Sequence, residues 1–204
     1  MTENTLNIIH LNEDLFTDPE KKKASIERRK SFENEIEFQG IQEVKVWDAI
    51  YNEISPLTGC SQSHKAIVRE AKEKGLNMCL ICEDDIKFTS FGSYQYFIDT
   101  IPESFDIYLG VSYSFSYENY YKDGIVRGYF DSLTLYAIHK RFFDDFLALP
   151  ENIHLDIAVS NLINEKEIRI AQPFVCTQLD GYSFNAKKVR EYGWRLQNKP
   201  LFGI

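Results

Sequence analysis

In the stretch NMCLICEDDIKF, Asn77 to Phe88, a mostly apolar run ends in Glu83, Asp84 and Asp85 side by side. Adjacent carboxylates repel one another and cost desolvation inside a fold, so either a cation sits beside them or they lie at an exposed strand end. Two carboxylates converging at a strand end suit a hard divalent cation such as Mg²⁺ or Mn²⁺, which keeps waters and takes its other ligands from substrate phosphates. Strand alternation sends Glu83 and Asp85 to one side and Asp84 to the other, a rule that relaxes where the chain turns into a loop. The chain has neither G-x-x-x-x-G-K-[ST] nor G-x-G-x-x-G, which disfavours a Walker ATPase and a dinucleotide dehydrogenase. The chemistry that remains for a cation on a diphosphate is transfer from a nucleotide-activated donor. An acidic strand end facing water is the competing reading.

The elements that would position these acids alternate. Asn7 to Leu11 reads as a short buried strand, and Asp18-Pro19 supplies an N-cap and a first-turn proline for a charged helix to about Ile36. Val44 and Val46 mark a second strand. Cys60 to Lys74 places Cys60, His64, Ile67, Val68 and Ala71 on one helical face, with Gly75 as the stop. The acidic strand follows, so the first part runs strand, helix, strand, helix, strand, the signature of an α/β layer with a mainly parallel sheet. In such a sheet ligands bind outside the carboxyl ends of the strands, where the acids sit.

Beyond it, SYSFSYENYYKDGIVRGYF alternates Ser with Tyr or Phe around the turn pair Asp123-Gly124, which predicts flanking antiparallel strands. The rings of Tyr113, Phe115, Tyr117, Tyr120 and Tyr121 would either stack on a sugar or bury one side of a strand. SLTLYAIHK predicts a strand, helices are expected from about Arg141 to Leu149 and Asp156 to Asn164, and short strands around Ile168 and Phe174.

With 204 residues, 44% hydrophobic and 26% charged, the chain can bury a core as one domain, of which about 1–88 reads as a nucleotide-type half. A net charge of −8 argues against a nucleic-acid partner, since duplex binding rests on Lys and Arg against phosphates. No stretch approaches the roughly 20 apolar residues of a membrane span, and no basic leader opens the chain, so a cytoplasmic protein is expected, with peripheral membrane association left open. Cys79 and Cys82 form a CxxC inside the strand with no second pair at zinc spacing, which favours buried thiols.

The segment GCSQSHKAIVREAKEKGLNMCLICEDDIKF resembles glycosyltransferase family 25, with its Gly-Cys, then Ser-His, a helix and an apolar strand ending in Glu-Asp-Asp. IIHLNED is similar to that family's first strand, Arg28 or Arg29 to its early arginine, and VKVWDAI to its second strand. FDIYLG, SLTLYAIHKRFFDDFL, HLDIAV and QPFVCTQLDGYS follow in the family's order, so the resemblance covers most of the chain. It implies a GT-A type nucleotide-diphospho-sugar transferase fold, a Rossmann-like mixed sheet flanked by helices. It further implies a Mn²⁺ or Mg²⁺ cofactor, a UDP-sugar donor, commonly of galactose, and inverting transfer to a saccharide acceptor of lipopolysaccharide type. Residues 89–204 then form the acceptor-binding half. The arginine comes late, after EDLFTDPEKKKAS, and the chain is short for the family.

On that resemblance Asp85 and Glu83 stand in a D-x-D-like position as metal ligands, while Asp84 or Glu83 contacts the metal's waters or the donor, with Ser63 and His64 also at the donor. His64 is equally readable as a buried histidine bonded to backbone. The helix start at Gly59 to Ser61 would offer free N–H groups to a diphosphate, or Ser61 or Thr58 would be a plain N-cap. Inverting transfer needs a carboxylate to take the acceptor proton. Asp156 is the first candidate, with an ordinary N-cap as its alternative, and Asp131 is the second. His154 would either complete the metal shell or face solvent. A degenerate member that holds a nucleotide sugar or glycan without transferring it is the competing function.

Overall fold

The computed structural model describes residues 1–113, 125–126, 130–197 and 199–203. The Asp123-Gly124 turn and the rings of Phe115, Tyr117, Tyr120 and Tyr121 lie outside the described residues.

Leu6–His10 (β1) is buried at every position, as a strand covered on both faces must be. The Asp18 carboxylate accepts from the amides of Glu20 and Lys21 and opens Pro19–Gln39 (α1), which Gly40 closes in the left-handed region at φ 68°. Val44–Asp48 (β2) is followed by Pro56–Glu73 (α2), whose Ile67, Val68 and Ala71 enter the core. This helix begins at Pro56 rather than Cys60, because a proline at the first helical position has its φ already set. Gly59 to Ser61 therefore lie inside the helix: Gly59 N–H donates to Ser55 O at 3.2 Å, and neither Thr58 nor Ser61 is the cap.

Met78–Glu83 (β3) and Ile86–Phe88 (β4) flank the acidic corner, and Ser93–Asp99 (α3), Ile107–Leu109 (β5), Ile125–Val126 (β6) and Leu135–His139 (β7) follow. The expected helix from Arg141 starts as a 3₁₀ turn and continues as Phe143–Ala148 (α4), and the one expected from Asp156 to Asn164 is shorter, Leu155–Ser160 (α5). Ile168–Ala171 (β8) lies where a strand was expected, and the strand expected around Phe174 begins two residues later, Phe174 itself bridging Leu201. Cys176–Gln178 (β9), Gly181–Ser183 (β10) and Lys188–Arg190 (β11) complete the chain order.

The main sheet has the order β2-β1-β3-β7-β5-β8-β6. β1 pairs in parallel with β2 and β3, β5 with β8, while β7 runs against both β3 and β5 and β6 against β8. The sheet is thus mixed, and the carboxyl ends of β1, β2, β3, β5 and β8 share one edge. β4 pairs with β9, and β10 with β11, as two small antiparallel ribbons beside that edge. Cys79, Cys82 and Cys176 are fully buried free thiols in the core, as expected for the CxxC.

Candidate active site

A cleft of about 470 Å³ opens at the carboxyl edge of the sheet. Its floor is the end of β3, its walls the start of α2 and the segment before β7, and its rim the β10–β11 ribbon. That volume suits a small-molecule ligand.

The cation that three adjacent acids demand is Arg28 of α1. Its Nη1 donates to Asp84 Oδ1 at 2.6 Å, its Nη2 lies 3.2 Å from Asp85 Oδ2, and Nη2 also donates to Tyr182 O at 3.0 Å. The guanidinium sits over the Phe184 ring at 5.3 Å. Burial alone would favour losing its charge, but Asp84 and Asp85 outweigh that and hold it more firmly protonated. Arg29, the other candidate arginine, instead faces Glu13, Nε to Oε2 at 3.5 Å.

The three acids have different fates. Asp84 is buried, with His10 Nδ1 2.8 Å from its Oδ2. Burial would raise its carboxyl, but Arg28 and His10 together keep it below the ordinary range. Asp84 thus joins Arg28 and His10 in a buried clamp at the cleft floor. Asp85 is also buried; desolvation, with Glu83 and Asp84 nearby, pushes its carboxyl up to about 7 in spite of Arg28. Glu83 is half-buried and looks both ways: Oε1 lies 3.5 Å from His64 Nε2, and Oε2 accepts from Gln178 Nε2 at 3.4 Å. The same Gln178 nitrogen reaches Asp85 Oδ2 at 3.3 Å, so alternation is relaxed at the corner but Glu83 and Asp85 do share a neighbour.

His64 is buried on α2, with Nδ1 2.8 Å from the Tyr136 hydroxyl rather than bonded to backbone. Burial would lower the imidazole, yet Cys60 and Glu83 push it up to about 10. Ser63 is spent elsewhere. Its hydroxyl donates to Gly59 O at 2.7 Å and accepts from Ile50 N–H at 2.8 Å, tying the loop before α2 to the helix, and it does not line the cleft. Ser63, expected at the donor, is placed in this link between loop and helix.

Asp131 and Asp156 both line the cleft. Asp156 is not an N-cap: His154 occupies that position, while Asp156 Oδ2 accepts from Ser132 N–H at 2.9 Å and Oδ1 from Ile157 N–H at 2.8 Å. Ser132 holds a φ of 93°, a strained value for a residue with a side chain, and the Asp156 bond helps fix it there. Asp131 Oδ1 accepts from Tyr113 N–H at 3.0 Å, and Oδ2 lies 3.5 Å from Arg195 Nη1. His154 is exposed at the rim. Tyr113 is buried, and its hydroxyl accepts from Gln178 N–H at 2.7 Å, so burial is its main role.

Among the described residues, the one set of three potential metal ligands drawn within 4.8 Å of one another is Cys60, His64 and Glu83. Asp85, Glu83 and His154, expected together, are not gathered at that spacing, because α5 carries His154 to the exposed rim. Arg190, Arg195 and Gln178 also line the cleft and were not singled out in the sequence. Arg190 and Arg195 lie in a tail without recognisable pattern, and Gln178 is 93 residues from Asp85 in sequence.

Among the described residues no helix is long and apolar enough to cross a membrane. No protein-family model matches the chain, and no curated protein sequence does. Among solved structures the chain is similar to A197 from STIV, at 13% identity and a TM-score of 0.52 over 93% of each chain. It is also similar to a protein from Desulfovibrio desulfuricans G20 assigned as a nucleotide-diphospho-sugar transferase, at 10% identity and a TM-score of 0.51 over 83% of this chain and 80% of that one. Likeness at such identities is one of fold, and the fold is the mixed α/β, GT-A type of the nucleotide-diphospho-sugar transferases.

Proposed function

We propose that the chain is a metal-dependent, family 25-like glycosyltransferase that moves a sugar, galactose being the first candidate, from a UDP donor to a glycan or lipopolysaccharide-type acceptor. The observation that carries this reading is Asp85, a buried carboxyl at the carboxyl end of a central strand, raised to about 7 and facing a cleft of nucleotide-sugar size. Glu83 and Asp85 share the Gln178 side-chain amide at the cleft floor, an oxygen pair that fits a hard divalent cation.

Asp85 and Glu83 would hold Mn²⁺ or Mg²⁺. Such an ion supplies charge neutralisation for the departing diphosphate. Arg190 supports the same assignment from the wall, since its buried Nε–H has no hydrogen-bond partner among the described residues and suits a phosphate oxygen. Asp156 is the first candidate to take the acceptor proton and Asp131 the second.

The competing reading, binding without transfer, draws on the same two acids: both already have a structural task, Asp156 at Ser132 and Asp131 at Tyr113. Incubation with UDP-galactose and Mn²⁺ tests the proposal. Transfer predicts UDP release that grows with a saccharide acceptor, and loses turnover but not UDP binding in Asp156→Asn or, failing that, Asp131→Asn. Binding without release across a panel of UDP-sugars would leave only the second reading.

A further inference from the structure

Cys60 and His64 lie one helical turn apart on α2, at positions that share a face, and Glu83 meets them from the end of β3. The ligand atoms all lie within 4.8 Å of one another, and His64 Nε2 is 3.5 Å from Glu83 Oε1. Tetrahedral coordination with bonds of the usual length to sulfur, nitrogen and oxygen sets neighbouring ligands about 3.3–3.6 Å apart, so the His–Glu pair already stands at that spacing.

The far side of the ring is also arranged. A metal on Nε2 displaces the proton there and leaves the one on Nδ1, which can donate a hydrogen bond to the Tyr136 hydroxyl 2.8 Å away, the kind of outer partner that orients ligating histidines. Cys60 is half-buried, and all three residues line the cleft, which leaves a fourth coordination position open towards it.

We propose that Cys60, His64 and Glu83 form a second cation site, for a thiophilic divalent ion of which Zn²⁺ is the best fit, with its fourth position open to water or to a ligand in the cleft. A sulfur and an imidazole select such an ion over Mg²⁺ or Mn²⁺, which prefer oxygen. Glu83 turns its two oxygens to opposite sides, so this site takes Oε1 and leaves Oε2 on the side of Gln178 and Asp85. The inference stands apart from the transferase reading, because it concerns a different ion held by Cys60 and His64, and it shares with the proposed Mn²⁺ site only Glu83, through the other oxygen.

The test is a titration of the chelator-treated full chain with Co²⁺, which reports a thiolate ligand by a near-ultraviolet charge-transfer band. One equivalent of Co²⁺ should produce the band, Zn²⁺ should displace it, Cys60→Ser should lose it, and His64→Gln should weaken Co²⁺ binding at least tenfold. The other thiols, Cys79, Cys82 and Cys176, are fully buried, so a band surviving in Cys60→Ser would overturn the site. Absence of the band from the wild-type chain would overturn it as well, whatever the folding of the variants. Protein that releases UDP with Mn²⁺ yet shows no band loses this inference alone, and a band without UDP release supports it while the transferase reading fails.

Discussion

The end of β3 divides its acids between two flanks that treat negative charge differently. On the α1 flank, Asp84 and Asp85 meet a guanidinium that the fold itself supplies, packed over Phe184 and bonded to Tyr182. On the α2 flank, Glu83 meets the imidazole of His64 beside a thiol, with the cleft open above. On one flank the fold supplies its own cation, whereas on the other Glu83 stands beside two side chains that can ligate a metal. An acidic triplet is therefore neither wholly a binding motif nor wholly a structural one, and adjacent residues split the two tasks.

The sharpest way to break that contrast is to remove the fixed cation. Arg28→Ala leaves buried Asp84 with His10 alone and buried Asp85 with Gln178 alone, and should destabilise the fold by about 3–5 kcal/mol. Denaturant unfolding checks it, and a midpoint matching wild type would show that Arg28 is no clamp. Arg28→Lys should recover only part of the loss, because an ammonium cannot reproduce the forked contact to both aspartates.

A smaller effect is expected from the other flank. A Cβ at Gly59 would run into the carbonyl oxygen of Ile50 and close on Asn52, so Gly59→Ala should cost about 1–3 kcal/mol and shift the start of α2 against the cleft wall. Equal stability with unchanged His64 resonances would mean that the loop before α2 does not hold this flank in place.

The most discriminating effect is in the response of the metal-free protein to pH. The Asp84 carboxyl is held below its unfolded value of about 3.9, so its stabilisation is present above that value and is lost as pH falls through the lower folded one. For Asp85, raised to about 7, the sign is opposite: its stabilisation is full below the unfolded value and is lost as pH rises through the folded one. Stability should thus decline between about pH 4 and pH 7, and Asp85→Asn should flatten that decline while Asp84→Asn, which removes one of the smaller causes of the Asp85 shift, keeps most of it. The reverse pattern in the two variants would exchange their environments.

Much of this was legible in the sequence where a local rule governs. Asp18-Pro19 marks the start of α1, alternating elements lead to the parallel β2-β1-β3 unit, and the acids stand at the carboxyl edge that such a sheet makes a binding edge. The need for a cation beside them was readable too, and Arg28 among the candidate arginines supplies it. Errors arose where several local signals competed. Thr58 and Ser61 look like caps, but Pro56 had already begun the helix, and Asp156 looks like a cap although it sits inside α5 and reaches back to Ser132. Long-range partners were illegible: Gln178 reaches the acids through the β4–β9 ribbon, and Phe174 bridges Leu201. The gathering of Cys60 with His64 and Glu83 had half a signal, a helical face shared by Cys60 and His64, but nothing in the sequence set the end of β3 against it.

The most direct test of the binding role of the β3 corner is calorimetric titration of UDP into wild type and Asp85→Asn, with and without Mn²⁺. Wild type should bind UDP at least tenfold more tightly with Mn²⁺ than without, and Asp85→Asn should lose that gain while remaining folded. UDP affinity indifferent to Mn²⁺ in the wild-type chain, or an equal gain in Asp85→Asn, would contradict it.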